Sequence, residues 1–256
     1  MNYYLIGSGK MASFLARCLH AAHAPVKGIF ARNKEKSAII AAQTGVPLMD
    51  RLTDIPDEPG TMCLICVPDA AIETVAGETG LKKHMIMVHT SGNTDIAVLG
   101  MHAAHYGCLW PIASISAHIK PLTEPVPVCI DASDSDTLEA LRATAEKCFS
   151  PVVVADTGQR QILHLSAVLT QNFANHLFAV AEDLCTANGL SANLLKPMLH
   201  EWLRTLDQTP AREIQTGPAL RGDTNTLQKH RDLLTEMPEL LRIYDSLTDS
   251  IRKMYG

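Results

Sequence analysis

The sequence predicts an α/β chain, a parallel-sheet domain followed by a smaller all-α domain. Three observations lead there. Continuous apolar runs such as Met62-Cys63-Leu64-Ile65-Cys66-Val67 alternate with helical stretches, as strands buried on both faces of a parallel sheet require. The first apolar strand, Tyr3 to Ile6, runs directly into Gly7-Ser8-Gly9-Lys10-Met11-Ala12 and then into an apolar-periodic helix, about Met11 to Ala22. From Gln161 onward the chain reads as nearly unbroken helix with no further strand signal. The expected domains are residues 1–156 and 157–256.

The strand, glycine turn and helix together have the form of a Rossmann-like dinucleotide-binding unit. Gly7 permits the tight turn, Gly9 lets backbone amides approach a pyrophosphate, and the helix directs its positive end at the phosphates. Ala12 stands where a third glycine would, a small residue that still allows close packing of helix on strand. Gly7, Ser8, Gly9, Lys10 and Met11 are therefore the expected phosphate-side contacts. The second strand, Pro25 to Ala31, ends at Arg32-Asn33-Lys34-Glu35-Lys36. An acid at that spacing would favour NAD, whereas an arginine suits a 2′-phosphate. Arg32, with Asn33 beside it, points to NADP.

A helix over about Lys34 to Thr44 leads to a short strand near Leu48 and then to the strand Met62 to Val67. That strand stops at Val67-Pro68-Asp69, where Asp69 is placed to cap the helix Ala70 to Gly77. Strand ends at this edge form the ligand crevice of an open parallel sheet, so Val67 and Pro68 should lie beside the nicotinamide. The strand from Met85 finishes in His89-Thr90-Ser91-Gly92, which puts His89 and Ser91 at the same edge as candidate substrate contacts. An alternative is a plain turn in which Ser91 and Asn93 cap the next short helix. Segments Gly107 to Pro111, Val126 to Asp131 and Val152 to Ala155, with a helix over about Asp136 to Cys148, extend the sheet.

Composition excludes several classes. The 256 residues are 46% hydrophobic and 19% charged, with net charge -5, so there is no basic footprint for nucleic acid. No apolar run approaches a membrane span. Seven cysteines lie in apolar segments and read as reduced thiols of a cytoplasmic protein; Cys63 and Cys66, three apart in a strand, point to opposite faces. His102 and His105 lack acidic or cysteine partners and read as surface histidines rather than metal ligands.

The first helix of the second domain, about Gly158 to Asn188, is apolar round most of its circumference, as a buried helix is. At about 100° per residue its polar residues Gln161, His164, Gln171, Asn172 and Asn175 share one sector. Such a stripe faces either a site or a partner helix. His164 is the candidate proton donor and Asn172 the candidate substrate-orienting group. Further on, Thr216-Gly217-Pro218-Ala219-Leu220-Arg221-Gly222-Asp223 interrupts the helices, and Asn225 with Gln228 has capping-box spacing. Thr216, Arg221 and Asp223 are candidate substrate contacts, Arg221 as a planar fork for a carboxylate.

These residues resemble a known group, the Rossmann-like oxidoreductases with a C-terminal helical domain of unknown function. That group is similar to pyrroline-5-carboxylate reductase and to deazaflavin-dependent NADP oxidoreductases. The likeness runs through Gly7-Ser8-Gly9-Lys10-Met11-Ala12, Val67-Pro68-Asp69-Ala70-Ala71-Ile72, His89-Thr90-Ser91-Gly92, His164-Leu165-Ser166-Ala167-Val168 to Asn172-Phe173, and Thr216-Gly217-Pro218 with Arg221-Gly222-Asp223 and His230. It implies NADP binding by the first domain, a homodimer built through the helices of the second, and an active site between domains; it implies no particular substrate. Where the group leads one to expect Tyr-Pro followed by Gln-Thr-Phe-Ser, this chain has Trp110-Pro111-Ile112-Ala113-Ser114-Ile115-Ser116. The expected activity is NADP-dependent hydride transfer to or from a small carbonyl or imine compound that is an acid. The alternative is an NADPH-binding regulatory or sensor protein without turnover.

Overall fold

The computed structural model describes residues 1–115 and 125–256. Its first elements are β1 (Asn2–Ile6), α1 (Lys10–Ala21), β2 (Val26–Phe30), α2 (Lys34–Thr44), β3 (Thr61–Ile65), α3 (Ile72–Glu78), β4 (Lys82–His89) and β5 (Ala103–Pro111). Then come β6 (Val128–Ala132), α4 (Ser135–Ala145) and β7 (Val152–Val154). The seven strands form one sheet in the order β2-β1-β3-β4-β5-β6-β7. All neighbours are parallel except β5 and β6, which are antiparallel. The short strand expected near Leu48 is a single parallel bridge to Ile29.

The sheet is covered on both faces, which is why its central strands are apolar throughout. On one side Phe14, Leu15 and Leu19 of α1 and Leu141 of α4 pack on Tyr3, Leu5, Met62 and Leu64. On the other, Ile72 and Val75 of α3 with Leu52 and Leu99 cover Ile6, Cys63, Ile65 and Met87. Cys66 belongs to the first layer and Cys63 to the second, the alternation expected of an extended strand. Burial pushes the Cys66 thiol up to about 12, so it stays protonated.

The direction in which successive strands are added to the sheet reverses at β1, whose parallel neighbours are β2 on one side and β3 on the other. A doubly wound sheet opens its ligand crevice at such a switch, beyond the carboxyl ends of the strands. The register puts Ile6 opposite Ile65, Ile65 opposite His89 and His89 opposite Cys108. Four strands thus deliver their following residues side by side along one edge.

The helical part comprises α5 (Thr157–Ala167), a π-turn (Val168–Asn172), α6 (Phe173–Ala187), α7 (Lys196–Leu206), α8 (Pro218–Arg221), α9 (Thr224–Leu233) and α10 (Pro238–Tyr255). The chain divides into two compact units, Met1–Leu177 and Phe178–Gly256. The change from strands to helices falls earlier, between Val154 and Thr157. In the second unit α9 and α10 are tied by His230 Nδ1 and the Tyr244 hydroxyl at 2.8 Å and by Arg231 Nε donating to Asp245 Oδ1 at 2.8 Å.

Local capping differs from the sequence expectation in three places. Asp69 lies inside a short 3-10 turn, and α3 starts after Ala71 with no side-chain cap. The short helix Ile96–Leu99 is capped by Asp95 rather than Ser91 or Asn93. For α9 the cap is Asp223, whose Oδ1 accepts from Thr226 N and Oδ2 from Thr226 Oγ1, rather than Asn225. In the last two cases an acid takes the cap, because a carboxylate is the stronger acceptor for free first-turn amides.

Candidate functional site

The glycine turn is held by the strand beside it. Gly7 has φ +131, and a Cβ there would collide with the carbonyl oxygen of Cys66, just after β3. Only glycine lets the two strand ends come this close. Gly9 differs: it is the N-cap of α1 in extended conformation, exposed, and nothing lies within 4 Å of where its Cβ would be. The first turn of α1 has no side-chain cap and no acidic residue, so its amides and dipole face that open space uncancelled. Ser8, Lys10 and Met11 flank it, and Val67 and Pro68 follow β3 on the next strand. This donor set fits a pyrophosphate.

Arg32 lies two residues beyond β2, is exposed, and has no hydrogen-bond or ion-pair partner among the described residues. Neighbouring polar groups are used: Asn33 Oδ1 accepts from Lys36 N as the α2 cap, and Lys34 Nζ reaches Asp50 Oδ1 at 2.6 Å. Asn33 therefore has a structural task already, while the Arg32 guanidinium is free for an anion.

The turn after β4 is more buried than the sequence suggested. His89, Thr90 and Ser91 are all buried, and the His89 Nδ1 accepts from Ser91 N at 3.2 Å while Nε2 has no partner among the described residues. Ser91 Oγ accepts from the amides of Asn93 and Thr94, and Thr90 Oγ1 donates to Ile65 O. These bonds make the segment a rigid wall. Gly92 completes it, since a Cβ there would lie 2.6 Å from Trp110 Cε2. The indole on the other side meets His164 edge-on, with ring centroids 5.6 Å apart. His164 is thus brought to the β4 edge. Ser116, last of the altered segment after Trp110, lies outside the described residues.

Burial, reinforced by the nearby Arg160 charge, pushes the His89 imidazole down to about 4. The unfolded chain titrates near 6.5, so between these values it binds more protons than the native state. Stability contributed by neutral His89 is complete above about 6.5 and declines as pH falls to about 4, by roughly 3 kcal/mol. Urea unfolding at stepped pH should show this slope, and His89→Asn should flatten it; an equal slope in the variant would assign it to other groups.

Arg160, which the sequence reading passed over, has the most partners of any side chain in this region. It is fully buried on α5, and its Nη1 donates to Asp131 Oδ2 at 3.0 Å and to Ala155 O at 3.3 Å. Its Nη2 donates to Thr94 O at 2.8 Å and to Thr157 Oγ1 at 3.2 Å, and next to it Gln161 Nε2 donates to Asn93 O at 2.9 Å. The signal available was Asp131 itself, an acid ending an otherwise apolar strand.

The long helix is not buried within one chain: of α5, the π-turn and α6, only Arg160 is buried. Its phasing also changes. In an uninterrupted helix Asn172 would lie about 80° round from His164. The π-turn inserts one residue's worth of rotation, which reduces that offset to about 20° and moves Asn175 about 80° away. His164 and Asn172 therefore share a face, and Asn175 leaves it. Asn172 is exposed with no side-chain partner among the described residues.

The remaining candidates belong to the second unit. Gly217 and Pro218 start the four-residue α8 after Thr216, and Arg221 ends it, exposed and unpaired among the described residues. Asp223 is occupied as the α9 cap, which holds its carboxyl below the usual range.

Comparison with known proteins bears on the fold. A Bacteroides fragilis protein provisionally named an NADP oxidoreductase superposes with TM-score 0.88 at 28% identity, over 98% of each chain. The Aspergillus terreus reductive aminase, solved with NADPH and ethyl-5-oxohexanoate, gives TM-score 0.70 at 16% identity over 100% of this chain and 95% of its own. A 1-pyrroline-5-carboxylate reductase from Streptococcus pyogenes gives 0.67 at 15% identity, over 99% and 98%. A search of curated proteins finds no match. Residues 126–251 match a family model described as a domain of unknown function, DUF2520. The chain has the fold of the Rossmann-like NADP oxidoreductases, and its residues 126–251 are similar to the DUF2520 domain.

Proposed function

We propose that the protein is an NADP-dependent oxidoreductase acting on a small carbonyl or imine compound that carries an acid group. The observation that carries this reading is the uncapped, acid-free start of α1 behind Gly9, on the same sheet edge as the wall of Ser91, Gly92 and Trp110 that His164 reaches. Gly7, Ser8, Gly9, Lys10 and Met11 hold the pyrophosphate, Arg32 the 2′-phosphate, and Val67 and Pro68 border the nicotinamide. NADPH supplies hydride to an electrophilic carbon. His164 donates a proton to a carbonyl oxygen, a step that an already protonated imine does not need. Asn172, aligned with His164 by the π-turn, orients the substrate. In the second unit Arg221 offers two parallel N–H donors to a carboxylate, and Thr216 lies in the same segment. The division at 156/157 separates the cofactor-binding from the substrate-binding and dimerising part. Ile162, Leu165, Leu169 and Phe173 are each more than half exposed in one chain and pair with a second copy, which sedimentation tests.

NADPH oxidation with a panel of oxo acids and cyclic imines is the test of the chemistry. Turnover is expected; tight NADPH binding with no turnover across the panel would favour a sensor instead. The same titrations check the cofactor reading, because Arg32→Asp should invert a preference for NADPH over NADH. Equal binding of both by the unaltered protein would mean that Arg32 is merely solvated.

A further inference from the structure

Arg160 and His164 are one helical turn apart on α5, so both side chains leave the same face. The first is fixed at four points. Two of them are backbone carbonyls in separate segments, Thr94 O after β4 and Ala155 O after β7, and a third is Asp131 at the end region of β6. With Gln161 bonded to Asn93 O, the two side chains fasten the segment Asn93-Thr94 to the first turns of α5. The other end of that segment is Gly92, against which Trp110 is pressed, and Trp110 in turn carries His164 on its edge. The path closes on itself: helix to Arg160, Arg160 to the wall, wall to Trp110, Trp110 to His164, and back to the helix.

We propose that Arg160 is a positioning residue that sets the place of the His164 imidazole against the wall formed by Ser91, Gly92 and Trp110. It touches neither substrate nor cofactor. A lone structural salt bridge would need only Asp131, whereas this guanidinium spends its Nη2 on the wall. The planar fork is what makes the double engagement feasible, because a lysine ammonium presents a single point from which Asp131 and Thr94 O cannot both be reached in the same geometry. The proposal rests on the reading of His164 as proton donor, yet its test does not depend on turnover.

Trp110 is the reporter. The chain has two tryptophans, so Trp202→Phe leaves Trp110 as the single indole. An imidazolium in contact with an indole quenches its emission and a neutral imidazole does not, so emission against pH reads the His164 contact. In Trp202→Phe a titrating change is expected, and His164→Gln should remove it. Adding Arg160→Lys should reduce the amplitude to the level of His164→Gln while far-UV circular dichroism and NADPH affinity stay unchanged. The pair Arg160→Met with Asp131→Leu, which removes both charges together, serves as the second variant and should behave the same way. A wild-type amplitude and midpoint in either folded variant overturns the proposal. Where a substrate has been found, kcat should fall by up to roughly a hundredfold with little change in KM for NADPH. If no substrate is turned over, the activity reading fails while the emission titration still decides the role of Arg160.

Discussion

Gly9→Ala is expected to fold as the parent protein does and to bind NADPH at least about tenfold more weakly, a loss of about 1.4 kcal/mol. Its backbone is in an ordinary extended conformation, and an added Cβ would meet nothing within 4 Å. Alanine is a poorer N-cap than glycine but restricts the unfolded chain, two effects of about 0.5–1 kcal/mol and opposite sign. The methyl group therefore changes little until a pyrophosphate comes close to the amides behind it. Gly7→Ala should do the reverse. At φ +131 an alanine is strained, and its Cβ would be driven into the Cys66 carbonyl, which neighbouring strands hold in place. Strain of about 1–3 kcal/mol plus the collision should make this variant markedly less stable before cofactor is added. Urea unfolding and NADPH titration of both proteins separate the cases. Parental affinity in Gly9→Ala would show that the cofactor does not use this turn.

The contrast between these glycines marks what the sequence could disclose. Strand, turn and helix at residues 2–21 are written in consecutive residues, so periodicity and two glycines suffice to read them, as they do for the sheet layers and for the cysteines on opposite faces of β3. The position of Arg32 just beyond β2 was legible for the same reason: its distance from the turn is fixed by one helix and one strand. Arg160 was not. Its partners lie on β6, after β4 and after β7, separations that no local pattern encodes, and an arginine at the start of a helix looks like any solvated charge. His89 shows the same limit, since a histidine closing a strand gives no sign that Trp110 and α5 will be packed nearby. The π-turn is subtler still. Val168-Leu169-Thr170-Gln171-Asn172 has no residue that demands it, yet it decides whether Asn172 or Asn175 shares a face with His164. The antiparallel pairing of β6 with β5 likewise has no local signal in the sequence.

Removing Asp131 should expose how much the buried charge network contributes. Arg160 is fully enclosed, and Asp131 retains 17% side-chain exposure, so the pair is asymmetric. In Asp131→Leu a guanidinium remains with no counter-charge and no water, at an expected cost of about 3–5 kcal/mol. In Arg160→Met the carboxylate is left with partial solvent, which lowers the charge cost, but the carbonyls of Thr94 and Ala155 lose a donor, at about 1–3 kcal/mol for each that stays dry. The double variant removes both charges and keeps only that carbonyl cost. The sum of the single losses should therefore exceed the double loss by several kcal/mol. Urea unfolding followed through Trp110 emission in Trp202→Phe measures all four corners of the cycle on the first unit. Additive losses would mean that Arg160 and Asp131 act separately.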